Sequence, residues 1–192
     1  MADQKTISIA CGDARVATRL PERTALLQAP APLPPLPDPV GAIRAALAAP
    51  INHEPIPKLV GPASKVTIAF DDLVIHQFPM KAPDFRALAI PVLLQELERA
   101  GVKRHHITLL CANALHRKWT LSELATILGP DLTTAFSPSH LLCHDAEDRE
   151  QLVFLGETER GIEVEVSKAV LDSDQLFYVN LTSLPFHGGW KS

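Results

Sequence analysis

Seventeen prolines are shared out very unevenly along this sequence of 192 residues, and the skew limits what the chain can fold into. Eleven precede residue 63, and six fall within Pro30–Pro39 (Pro-Ala-Pro-Leu-Pro-Pro-Leu-Pro-Asp-Pro). Proline has no backbone N–H and a fixed φ, so this stretch can form neither a helix nor a central strand. It reads as an extended polyproline connector, a stiff spacer in preference to a ligand for proline-recognising domains. The sequence accordingly divides at 62/63. Residues 1–62 hold a hairpin, the connector and a short helix; residues 63–192 have the rhythm of an α/β domain.

Ahead of the connector, Thr6–Ala10 and Arg15–Leu20 alternate in hydropathy around Gly12-Asp13, the pattern of a β-hairpin. Behind it, Val40–Ala49 reads as helix and 50–62 as irregular. Lys65–Phe70 then reads as a buried strand. Over Asp84–Ala100 the apolar residues Phe85, Leu88, Ala89, Val92, Leu93 and Leu97 keep helical spacing, with Gly101 placed to cap the end. Pro91 lies inside that helix and should kink or split it. Ile107–Ala112 is a second buried strand. Thr120 and Glu123 have the spacing of a capping box, Trp119 and Leu124 that of a hydrophobic staple, and Gly129-Pro130 closes the helix they start. Gln151–Leu155 and Ile162–Val166 flank a Gly161 turn; a short helix at Ser167–Leu171 and a strand at Gln175–Leu181 follow. Strands alternating with helices imply an α/β fold, a mostly parallel sheet with helices on both faces.

The charge balance argues against two classes of partner. Lysine and arginine number 18 against 22 acidic residues, a net of -4, whereas nucleic acid and acidic membranes call for a basic surface. The longest apolar run, Ala87–Leu94, is far below the roughly 20 residues that span a bilayer, and the N-terminus shows no secretory pattern. Three widely spaced cysteines (Cys11, Cys111, Cys143) do not suggest a disulfide framework, which favours a reducing, cytoplasmic setting. Cys111 reads as a small core residue. His140, Cys143 and His144 have ligand-like spacing but share one connecting segment and lack a matching fourth ligand, so no metal site is assigned to them.

In parallel sheets, ligands bind beyond the carboxyl ends of the strands. Three strands here end in polar chemistry: Asp71-Asp72, Asn113-Ala114-Leu115-His116-Arg117, and Pro185-Phe186-His187-Gly188-Gly189-Trp190-Lys191. Carboxylates, imidazoles and an amine converging on one edge suit proton transfer and covalent attachment. Taken singly, each has a plainer reading. Either aspartate can cap a turn, His116 can be a solvated loop residue, Arg117 can pair with Glu123, and Lys191 can be an exposed charge.

In this order and spacing the segments resemble the N-terminal domain of the lactate racemase family, the nickel-pincer-dependent 2-hydroxyacid racemases. The likeness takes in Leu20-Pro21-Glu22, Pro34–Ala49 leading to Pro50-Ile51, Asp71-Asp72, Ala114–Arg117 with Thr120 and Glu123, Leu155–Thr158, and Gly188–Ser192. It implies the first of two α/β domains with an active site between them. It implies that the loop from Asp72 touches the cofactor and that His116 is one of two bases that take the substrate hydroxyl proton. Lys191 would carry the cofactor, a nickel-bound pyridinium-3-thioamide-5-thiocarboxylic acid mononucleotide, through a thioamide. The reaction implied is hydride transfer from the 2-carbon to the cofactor and back to the opposite face.

The sequence departs from the family in three places. Ile75, followed by His76-Gln77, stands where the racemases have an arginine, so Arg117, Lys81 or Arg86 would have to hold the substrate carboxylate; Arg117 is assigned that role. The second histidine follows a proline in the racemases, whereas here Phe186 follows Pro185; His187 is therefore assigned as the offset second base. Finally, the sequence ends at Ser192, before the family's second domain, and without that partner the isolated chain is expected not to turn over a small 2-hydroxyacid. The alternatives are a non-catalytic module for small anions and an inactive truncated relative.

Overall fold

The computed structural model describes residues 5–27, 31, 33–73 and 82–182, and the chain divides into two compact units, Met1–Pro35 and Leu36–Ser192. The first contains an antiparallel hairpin of β1 (Lys5–Cys11) and β2 (Ala14–Leu20), in register from Lys5 opposite Leu20 to Cys11 opposite Ala14. The two-residue turn opens on Gly12, whose φ of 57° suits a glycine. Between Leu20 and Pro39 the described residues form no helix or strand, as the prolines require.

The second unit begins with α1 (Pro39–Ala48), whose N-cap Asp38 accepts from the Gly41 N–H and whose first position is Pro39. A short helix, α2 (Ile56–Leu59), corrects the expectation of irregular chain over 50–62. Pro57 sits at its start, where the missing N–H costs nothing, and Ile56 is drawn into the core. The boundary expected at 62/63 therefore falls inside this unit: α1 packs against the later helix at Phe85–Arg99, and Ile56 and Val60 are core residues.

A four-stranded parallel sheet follows. Its strands β3 (Val66–Asp71), β4 (Ile107–Ala112), β5 (Leu141–Cys143) and β8 (Gln175–Val179) lie in the order β5-β4-β3-β8. Central β3 is buried along its whole length. Val66, Ile68 and Phe70 point to one face, together with Ile107, Leu109 and Cys111 of β4. They pack there against α3 (Phe85–Arg99), α4 (Leu121–Leu128) and α5 (Pro130–Phe136), with Leu94, Leu97, Leu124 and Phe136 among the contacts. Thr67 alternates to the other face, where its hydroxyl donates to the Ala169 carbonyl of α6 (Lys168–Leu171) at 2.7 Å. The sheet thus has helices on both faces.

Of the two outcomes expected at Pro91, a kink or a split, the split does not occur: α3 runs unbroken through it. The proline removes one hydrogen bond, at a cost of about 3 kcal/mol. Ile90, Val92, Leu93, Leu94 and Leu97 are buried around it, each stabilising by roughly 1.5–3 kcal/mol, so burial wins. Gly101, with φ +90°, closes α3 as anticipated. The capping box of α4 forms in full: Thr120 and Glu123 each satisfy the other's backbone. Gly129 ends α4, as Gly129-Pro130 predicts, and also begins α5, a helix not expected from the sequence. Leu141–Cys143, expected within a connecting segment, are the edge strand of the sheet.

Outside the sheet, β6 (Leu152–Glu157) and β7 (Glu163–Ser167) form an antiparallel hairpin with an irregularity at Phe154/Gly156. Phe154, Leu155, Ile162 and Val164 are exposed there. No helix among the described residues is long and apolar enough to cross a membrane.

Candidate functional site

β3 and β4 run in register, with Asp71 opposite Ala112, so the residues that follow them leave the sheet side by side. After β4 the chain makes a tight turn: the His116 N–H donates to the Asn113 carbonyl at 2.8 Å, and the Asn113 side-chain amide donates to the His116 carbonyl at 2.8 Å. Ala114 takes up a φ of 48° inside this turn, a left-handed conformation that costs a non-glycine residue roughly 1–2 kcal/mol. Asn113 is fully buried, so its two bonds hold the turn against that strain.

The turn brings the His116 ring to Asp72, with Nδ1 2.7 Å from Oδ2. Asp72 is buried, whereas His116 is half exposed and lines a cleft of about 550 Å³ with Arg117, Lys118, His144 and Asp145. An ionised carboxylate only accepts hydrogen bonds, so Nδ1 carries the hydrogen and the lone pair falls on Nε2. Asp72 thereby fixes the tautomer and the orientation of the imidazole. The Trp119 indole N–H adds a longer contact to the same carboxylate oxygen, at 3.3 Å.

Arg86 holds this corner from beneath. Its guanidinium is buried, donates through one nitrogen to the carbonyls of Asp71 and Asp72 (both 2.6 Å), and grips the Asp84 carboxylate with its other two. All of its nitrogens are engaged within the protein. It is a positioning residue for the Asp71-Asp72 turn. Asp71 faces the neighbouring strand, where it accepts from the Tyr178 hydroxyl at 2.8 Å and the Leu181 N–H at 2.7 Å. Burial, reinforced by Asp71, pushes the Tyr178 phenol well above its ordinary pKa.

Both cations of the cleft are paired. Arg117 forks onto Glu123 (2.6 and 3.0 Å) and lies over the Trp119 ring; Lys118 reaches Asp145 at 2.6 Å. Arg117 and the Thr120 cap hold the Glu123 carboxyl down at about 2, and Asp145 raises the Lys118 ammonium. The plainer sequence reading of Arg117, a partner for Glu123, is thus the contact the structure contains. Of the residues assigned to the site, Asp72 and His116 meet and Arg117 lines the same cleft. His187 and Lys191 lie outside the described residues, as do Lys81 and Ile75. Among the described residues, His140, Cys143 and His144 form no group of three or more side chains able to hold a metal. Arg86, Asn113 and Trp119 have positioning roles that sequence reasoning did not assign. The signal for Arg86 was present in Asp84-x-Arg86 at a helix start, although only the fold shows which carbonyls it meets.

A chain with this sheet order and this strand-end turn can be compared with known proteins. The family model for the lactate racemase N-terminal domain matches residues 11–192. The chain belongs to that family. It is 24% identical over 149 residues to the lactate racemase of Thermoanaerobacterium thermosaccharolyticum, an alignment covering 78% of this chain and 32% of that protein. The lactate racemase apoprotein structure from the same organism superposes with a TM-score of 0.73 at 21% identity, covering 98% of this chain and 42% of the other. At that identity the superposition is a likeness of fold. The chain spans about a third of the length of the racemase it matches.

Proposed function

We propose that this chain supplies the N-terminal part of the active site of a 2-hydroxyacid racemase or epimerase, with His116 as a base on the substrate hydroxyl. The observation that supports this most directly is the Asp72–His116 hydrogen bond of 2.7 Å at adjoining strand ends, beside an open cleft. Nε2 takes the hydroxyl proton as the C2–H bond breaks, and the imidazolium so formed is stabilised by the buried carboxylate behind it. His187 is proposed as the base that serves the opposite enantiomer.

Breaking C2–H as a hydride requires an acceptor, and no ordinary side chain is one. The site chemistry therefore fits a bound cofactor, and the family points to a nickel-pincer nucleotide attached to Lys191, which when bound supplies the hydride acceptor and donor. Asp72, at the start of the first strand-end loop, is proposed to border it. Asn113 Oδ1 is buried with no hydrogen-bond partner among the described residues, an acceptor suited to a donor group entering the corner. Arg117 is proposed to meet the substrate carboxylate, which requires it to loosen its hold on Glu123. The remainder of a full-length protein would close the site from a second domain. Free thiols at all three cysteines suit the cytoplasm as its setting.

The test is made on full-length protein prepared with the cofactor-synthesis enzymes. His116→Ala should lower racemisation by roughly 10²–10⁴-fold, the usual contribution of a positioned general base. Turnover unchanged by that substitution rejects the base, and holoprotein with neither nickel nor a mass adduct on Lys191 rejects the cofactor.

A further inference from the structure

Two of the three cysteines, far apart in sequence, become neighbours in the sheet. Cys111 on β4 and Cys143 on β5 are direct register partners in a parallel pair. Aligned residues on adjacent strands project to the same face, and both side chains pack with the core cluster. Strands about 4.8 Å apart place the two Cα atoms within the roughly 4.4–6.8 Å that a disulfide spans. The two side chains therefore face each other across adjacent strands.

The pair is asymmetric in a way that suits exchange chemistry. Cys111 is fully buried; the Cys143 side of the pair and burial both push its thiol up, so it stays protonated. Cys143 lies on the edge strand and is partly exposed. The neighbouring Cys111 lowers the pKa of Cys143, helped by the nearby Lys118 ammonium. The more accessible sulfur therefore sits beside a buried thiol that can resolve whatever forms on it.

We propose that Cys111 and Cys143 are a redox modification site, forming a reversible disulfide across β4 and β5 with Cys143 as the attacking sulfur. With a hydroperoxide as oxidant, the Cys143 thiolate attacks the terminal oxygen and the O–O bond breaks. The alcohol or water leaves, and Cys143 becomes a sulfenic acid. The Cys111 sulfur then attacks the Cys143 sulfur, the S–O bond breaks, and the hydroxyl departs as water with the Cys111 proton. Two thiols are oxidised by two electrons and one peroxide is reduced. The bond would pin edge strand β5 to the sheet. It would lie close to the candidate site, since the Cys143 thiol also contacts the Trp119 carbonyl at 3.8 Å and the Trp119 indole reaches Asp72.

The experiment uses the chain carrying Cys11→Ser, which removes the exposed thiol of β1 and leaves the pair intact. Folded protein is treated with hydrogen peroxide, alkylated and analysed by mass spectrometry without reductant. The expected result is loss of two hydrogens, a peptide link between positions 111 and 143, and full return of both thiols with dithiothreitol. Adding Cys111→Ser should leave a Cys143 sulfenic acid that dimedone traps; adding Cys143→Ser should leave Cys111 unlabelled. Both thiols remaining free, over-oxidation without the link, or a link formed only between two chains overturns the proposal.

Discussion

Two arginine–carboxylate pairs of the same chemistry sit in opposite surroundings. Arg86 and Asp84 lie beneath the strand-end corner, with side chains 3% and 13% exposed; Arg149 and Glu165 lie beside the β6–β7 hairpin at 74% and 31%. Both make bonds of 2.7–2.8 Å. Contact lengths therefore do not separate them, but desolvation does. Around Arg86 every donor and acceptor must find a protein partner, and the partners found are the carbonyls of the two aspartates that shape the site. Around Arg149, water can replace either member. The difference shows where this fold commits its structure: at the corner where β3 and β4 end, and hardly at all in the hairpin.

The sharpest way to break this contrast is to remove each arginine. Arg86→Met should destabilise the chain by about 3–5 kcal/mol, because it strands a buried carboxylate and two carbonyls. Arg149→Met should cost less than about 1 kcal/mol. Urea unfolding of the two variants measures both, and equal losses would remove the distinction. Tyr178→Phe probes the same corner more gently. Asp71 keeps the Leu181 N–H but loses the phenol, at a cost of about 1 kcal/mol by the same measurement; no change would mean the hydroxyl is replaced by solvent.

The smallest effect concerns the exposed rim. Glu123 should titrate at about 2 instead of its ordinary 4.5, followed by carboxyl NMR. Its folded-state pKa is depressed, so its contribution to the Arg117 pair and the Thr120 cap is present above pH 4.5. That contribution is lost as pH falls from there towards 2. A midpoint near 4.5 would show that neither partner holds it.

Local signals made part of this molecule legible in advance. The β1–β2 hairpin, the Thr120–Glu123 capping box and the buried runs of β3 and β4 each depend on a few adjacent residues, and all were readable. What escaped depended on distant context. β5 is three residues long and is a strand only because β4 lies beside it. α5 starts on the glycine that stops α4. Pro91 is tolerated because residues far off in sequence bury the rest of α3. For the site, the rule that ligands gather at strand ends pointed to the segments Asp71-Asp72 and Asn113–Arg117, and the family resemblance picked Asp72 and His116 within them. Their contact, 44 positions apart, needed the β3–β4 register, and the Cys111–Cys143 pairing needed that of β4 and β5.

The order β5-β4-β3-β8 has a bearing on synthesis. β3 sits between β4 and β8, and Val66 pairs with Gln175 across more than a hundred residues. On the ribosome, one edge of β3 must wait with its amides and carbonyls unmatched until the segment Gln175–Val179 has emerged from the exit tunnel. Throughout that interval the nascent chain presents an open, largely apolar strand edge, the feature that invites premature pairing with other chains and that chaperones shield.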